Sequence, residues 1–175
     1  MKVLISIILF TTFLISEPSE KLTYVVKYNG IKAGRATLVH KMIEDSNTVN
    51  IIFDLKPRKF FDFIYKLREN ILIVAYKFDY SIKKIKKESQ QGRYKKKYHA
   101  TFDYINQTAY IGNKQVNLET TVHDPISIIY KVRQNKLFNN QEFKFNIISK
   151  DKIKGITMKV IGKEELLLNK NKYDC

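Results

Sequence analysis

The sequence predicts a mainly β protein: a curved antiparallel sheet or partly open barrel with one or two short helices. Three observations predict it. Apolar and polar residues alternate along most of the chain, turn dipeptides such as Asn29-Gly30 and Gly112-Asn113 separate the alternating runs, and one segment alone changes to helical spacing. Period-two alternation marks strands with one face on a core and the other in water.

Leu22, Tyr24, Val26 and Tyr28 alternate up to Asn29-Gly30, a pair suited to the positive φ angles of a tight hairpin turn. The return strand covers residues 33–41, with Gly34 where a side chain would be crowded or the strand bends. A third strand follows Asp45-Ser46-Asn47 with Val49, Ile51, Phe53 and Leu55 on one face, and Pro57 ends it. An aromatic knot comes next at Phe60, Phe61, Phe63 and Tyr65. Residues 94–104 alternate most clearly, with Tyr94, Tyr98, Ala100, Phe102 and Tyr104 facing one way and only Lys96 breaking that face. This strand pairs with residues 80–88 across Gln90-Gln91-Gly92, and a shorter hairpin spans residues 108–118. Phe143, Phe145 and Ile147 mark another strand; Ile156, Met158 and Val160, then residues 164–168, mark two more. The helical segment has a clear start, with Asp124 as cap, Pro125 in the first helical position, and Ile126, Ile129, Tyr130 and Arg133 at helical spacing.

Residues 1–16 form a separate segment. One Lys precedes a thirteen-residue apolar run from Val3 to Ile15, and the polar Ser16-Glu17-Pro18-Ser19-Glu20 follows. That layout is an export signal, and the run is short for a bilayer span, which takes roughly 20 apolar residues. Cleavage after Ser16 leaves Leu14 three places before the cut, so an uncleaved membrane anchor stays open beside a cleaved signal. Residues 20–175 then make a single domain, large enough for a real core. The lone cysteine, Cys175, is the last residue, so no internal disulfide forms.

The formal charge is +15. Nearly half of it lies in Lys83, Lys84, Lys86, Lys87, Arg93, Lys95, Lys96 and Lys97, opposed within that stretch by Glu88 alone. A solvated hairpin is the plain reading; the functional one is an anionic partner, a lipid head group or membrane surface. Nucleic acid is not expected for an exported chain, and scarce Arg weakens any case for bidentate phosphate recognition.

Catalytic and metal motifs are missing. His40, His99 and His123 lie on separate elements with no H-E-x-x-H or paired Cys, so neither metal nor cofactor is expected. His123-Asp124 resembles an acid and base pair, yet capping gives Asp124 a sufficient role. Ser127 sits in no G-x-S-x-G elbow, and Glu164 and Glu165, as strand neighbours, point to opposite faces. An enzyme is therefore not expected.

In order, Leu22-Thr23-Tyr24, Tyr28-Asn29-Gly30-Ile31-Lys32-Ala33-Gly34, the Tyr65 region and Gly92-Arg93-Tyr94 resemble the bacterial exported proteins grouped as domain of unknown function 3108. Thr101-Phe102-Asp103, Asp124-Pro125-Ile126-Ser127-Ile128-Ile129-Tyr130 to Arg133, and the closing Gly162-Lys163-Glu164-Glu165 and Tyr173-Asp174-Cys175 continue the resemblance. It implies an exported antiparallel β domain of the cell envelope with no agreed catalytic residues. Members usually continue for further strands, which implies a shortened or truncated member with an exposed edge.

Eleven Tyr and eleven Phe stand without a Trp. They are core on the plain reading; on the sharper one Tyr24, Tyr28, Phe53, Phe60, Phe61, Phe102, Tyr104 and Tyr130 line a cavity for acyl chains. Asn29, Gly30, Gly34, Asp124, Pro125 and Arg133 are read as structural. The expectation is an exported envelope protein that binds a hydrophobic or amphiphilic ligand such as lipid without catalysis. The alternative is an assembly module that contacts envelope proteins through an open sheet edge.

Overall fold

Eight consecutive strands pair with their chain neighbours in order, every pair antiparallel, to form one open sheet. They are β1 (Ser19–Tyr28), β2 (Ile31–Met42), β3 (Thr48–Pro57), β4 (Leu67–Tyr76), β5 (Ile82–Gln91), β6 (Tyr94–Asp103), β7 (Thr108–Ile111) and β8 (Lys114–Asn117). Helix α1 (Lys59–Ile64) lies between β3 and β4, and α2 (Pro125–Arg133) follows the sheet. Two hairpins close the described chain, β9 (Glu142–Ser149) with β10 (Lys152–Lys159) and β11 (Glu165–Leu168) with β12 (Asn171–Asp174). This computed structural model describes residues 19–149, 152–168 and 171–174. The apolar run expected to direct export, and Cys175, lie outside those residues.

The register builds the core. Ile51 stands opposite Ile73, Ile73 opposite Ile85, Ile85 opposite Ala100, and Ala100 opposite Ile111, giving one buried apolar rung across five strands. Partners in a ladder share a face, so every second residue joins that rung's side. Gly34 has a steric reason to be glycine: a Cβ there would stand 2.8 Å from the carbonyl oxygen of Lys56 on β3. At Asn29 and Gly30 φ is 47° and 79°, the left-handed pair that the hairpin requires.

Helix α2 lies on the core-facing side and is held at both ends. Asp124 caps it by accepting from Ile126 N at 2.9 Å, while Ser127 Oγ accepts from Asp124 N at 3.1 Å. The other carboxylate oxygen accepts from Lys87 Nζ of β5 at 2.6 Å, and at the far end Arg133 makes two bonds to Glu20 of β1, at 2.8 and 2.7 Å. The inward face is Ser127, Ile128 and Tyr130, whereas Ile129, expected inside, is half exposed. The ends decide the roll of so short a helix, because its cap must meet Lys87 while Tyr130 reaches His40.

Two elements differ from the sequence expectation. Strand β4 has no alternation over Ile71 to Ala75, because Leu72 and Val74 are half buried opposite Ile52 and Asn50 while Ile71, Ile73 and Ala75 face the core. A strand apolar on both faces loses its period-two signature. The aromatic knot is the six-residue α1, whose cap residue Arg58 offers no side-chain bond to its first turn.

Candidate functional site

The core-facing side is filled at one end and open at the other. Tyr130 of α2 stacks on His40 at 4.6 Å between ring centroids, and His40 Nε2 lies 3.0 Å from Tyr80 Oη. Burial lowers the His40 pKa, with Glu20 nearby raising it and Arg133 lowering it. Burial lowers that of His123 too, whose Nε2 meets the carbonyl oxygen of Asp79 at 3.0 Å. Tyr104 Oη donates to Ile82 O at 2.9 Å and is pushed up to about 12 by burial. These groups knit α2 and the segment before it onto the sheet.

Beyond α2 the same face carries different residues. On β4, β5 and β6 the register sets Glu69 opposite Ser89, Ser89 opposite Lys96, and Lys87 opposite Tyr98. These five, with Ile148 of β9, bound a groove of about 230 Å³. Tyr98 Oη is buried with no hydrogen-bond partner among the described residues, and burial, then the charge of Asp124, raises its pKa. A second groove, of about 390 Å³, is lined by charged and polar groups that include Asp54, Arg68, Glu88, Lys95 and Lys97.

The chain matches a family model described as a protein of unknown function (DUF3108) over residues 23–175. It belongs to the DUF3108 family. No curated protein and no solved structure matches it.

The eight aromatics expected to line a cavity do not gather in one in this DUF3108 chain. Phe102 and Tyr130 are buried in the core, Phe53 and Tyr104 pack against it, and Tyr24 is half exposed. Tyr28 and Phe60 are exposed at one end of the sheet, with Phe61 half buried edge-on to Phe60 at 5.7 Å. None of the eight lines either groove. On the core-facing side Ile128 and Tyr130 of α2 are buried, Tyr130 against His40, while Tyr28 and Phe60 stand at the sheet end away from it.

The basic candidates divide by face. Lys84, Lys86, Lys95 and Lys97 occupy the outer face, with Lys97 3.2 Å from Glu88. Lys83 lies 5.9 Å over the ring of Tyr76, and Arg93 sits exposed in the β5–β6 turn. Lys87 and Lys96 face inward at the groove. Sequence reasoning found both as members of a charge run and missed the groove itself. The available signal was the break that Lys96 makes in an otherwise apolar face.

His40 and His123 are buried in separate contacts and His99 is exposed on the outer face. Among the described residues no group of three or more His, Cys, Asp or Glu could hold a metal ion, and no helix is long and apolar enough to cross a membrane.

Proposed function

We propose that this protein is an exported, non-catalytic envelope domain that binds an amphiphile, a lipid, by its polar head. One observation carries the reading: the unpartnered hydroxyl of Tyr98 beside a groove edged by Ser89, Lys87 and Lys96. A buried polar atom without a partner is costly, and a ligand oxygen would relieve it. The Lys96 ammonium and two hydroxyls suit a phosphate or carboxylate, with Lys87, held by Asp124, at the groove's edge, and Glu69 opposite Ser89 suits an attached amine. About 230 Å³ admits a head group rather than an acyl chain, which leaves the tail outside the packed core.

Native mass spectrometry of the protein purified from cells tests this. The expected result is a copurified lipid in the wild type that is depleted in the Lys96→Glu and Tyr98→Phe variants. Ligand-free protein in every gentle preparation would overturn it.

The assembly reading has one observation in its favour. Among the described residues β1 pairs only with β2, so its ten residues offer a free edge to a partner strand. Two features blunt that edge: a register shift at Val26/Lys27 and outward lysines at positions 21 and 27. One stoichiometric envelope protein after mild crosslinking would favour this reading over the first.

A further inference from the structure

The groove residues Glu69, Ser89 and Lys96 lie near one end of the sheet, by the start of β4 and the β5–β6 turn, and that end is unlike the other. Because the eight strands follow one another as a meander, the β1–β2 turn, α1 with its flanks and the β5–β6 turn all fall there. Backbone bonds join them: Arg58 N donates to Ala33 O at 2.8 Å, and Gly92 N to Lys66 O at 2.7 Å. Large apolar side chains stand in solvent along this rim. Phe63 is 92% exposed and Phe60 71%, with Tyr28, Ile31, Tyr65 and Tyr94 exposed around them. Isolated exposed apolar residues are ordinary, but a group on one rim marks an interaction surface.

Charge is segregated along the same axis. Residues 27–32, 56–68 and 91–97, which make the rim, hold eleven Lys and Arg and a single acid, Asp62, which is paired with Arg68. Residues 42–48, 76–82 and 103–108, at the opposite end, hold four acids and one Lys. Phe78 and Ile105 are also exposed there, but among acids, and the Lys131 ammonium lies 5.6 Å from the Phe78 ring.

Aromatic rings interleaved with Lys and Arg suit the head-group region of a bilayer, where rings lodge between head groups and bases meet anionic lipid. Protein interfaces are depleted in Lys, so the eight lysines among these eleven bases argue against a protein partner. Resting on the amphiphile reading above, we infer that this rim docks on an anionic lipid bilayer. Phe60 and Phe63 of α1 enter to head-group depth and the neighbouring Lys and Arg sit on lipid phosphates. Docking in this way brings Glu69, Ser89 and Lys96 of the groove close to the surface that supplies its ligand.

Vesicle cosedimentation of the full chain tests the inference, with vesicles of phosphatidylcholine and phosphatidylglycerol set against pure phosphatidylcholine. The wild type should favour the anionic vesicles, and added salt should weaken that preference. Phe60→Ser with Phe63→Ser should lower binding to anionic vesicles about tenfold or more, as should Lys95→Glu with Lys97→Glu. Phe78→Ser with Ile105→Ser, at the acidic end, should leave it unchanged. All six side chains are exposed, so circular dichroism should show each variant folded.

Equal binding to both vesicle types, or binding indifferent to the rim substitutions, would overturn the inference. Self-association through the rim without vesicle binding would overturn it as well, by assigning the surface to a second copy. A lipid copurifying with a protein that ignores vesicles would sink this inference alone. Rim-dependent vesicle binding with no copurified lipid would sink only the head-group reading.

Discussion

Lys87 Nζ lies 2.6 Å from Asp124 Oδ2, joining the middle of the sheet to the cap of the helix that lies over it. The Asp124 side chain is only 4% exposed and does two jobs, since its other oxygen accepts from Ile126 N. One carboxylate thus starts α2 and fixes where α2 starts relative to β5. The open part of the inner face, with its groove, begins on the far side of that contact, because Lys87 also edges the groove.

Replacing Asp124 should therefore separate two effects. Asp124→Ala removes the cap and leaves a half-buried ammonium unpaired, a loss of about 2–3 kcal/mol. Asp124→Asn keeps an oxygen for the cap and loses only the charge, at a cost of about 1 kcal/mol. Urea unfolding of both variants measures the difference. Equal losses would mean that the ion pair, not the cap, is the sole anchor.

The strands legible in the sequence are those with one dry face and one wet face, such as residues 94–104, where the period survives almost unbroken. Strand β4 was illegible for the opposite reason: Leu72 and Val74 are apolar and half buried on the outer face, so Ile71 to Ala75 reads as one run. The start of α2 was legible because capping is local chemistry carried by Asp124 and Pro125. Its inward face was not, because that depends on Lys87 and His40, distant in sequence.

Gly34→Ala probes how closely β2 and β3 approach. The added Cβ would meet the Lys56 carbonyl oxygen at 2.8 Å and the Pro57 Cα at 3.3 Å, both backbone atoms that cannot swing aside. The expected loss is about 1–3 kcal/mol, seen as a lower thermal midpoint. Gly155→Ala, whose nearest neighbour would be the Asn146 side chain at 3.8 Å, is the matched control and should change far less.

Acid should weaken the fold in two windows. Burial depresses the folded-state pKa of His40 and His123 below 6.5, so the unfolded chain binds more protons as pH falls through that value, and stability falls with it. Glu20 titrates lower because the hydrogen bond from Arg133 favours its carboxylate; its contribution is present above 4.5 and lost as pH falls further. Urea midpoints measured across pH should decline in both windows. His40→Gln should flatten the first and leave the second. An unchanged first window would assign it to His123.

The groove was illegible as a site because no single segment spells it. Ser89, Lys96 and Tyr98 meet only through register, and Lys96 looked like an error in an apolar face rather than part of a polar one. The aromatics misled for a related reason: their number follows from composition, but whether they line a space or fill it depends on contacts between distant segments.

Tyr98→Phe distinguishes a binding hydroxyl from a packing one, because the two predict opposite signs. The hydroxyl is buried and unpartnered among the described residues, so deleting it should stabilise the ligand-free protein by about 1 kcal/mol. The same deletion removes a donor from the groove, so lipid retention should fall while stability rises. Thermal unfolding of delipidated protein and native mass spectrometry of the purified variant read the two quantities. Greater stability with undiminished retention would remove Tyr98 from the site. Lower stability would show that the hydroxyl is bonded within the fold and leave the groove without its strongest argument.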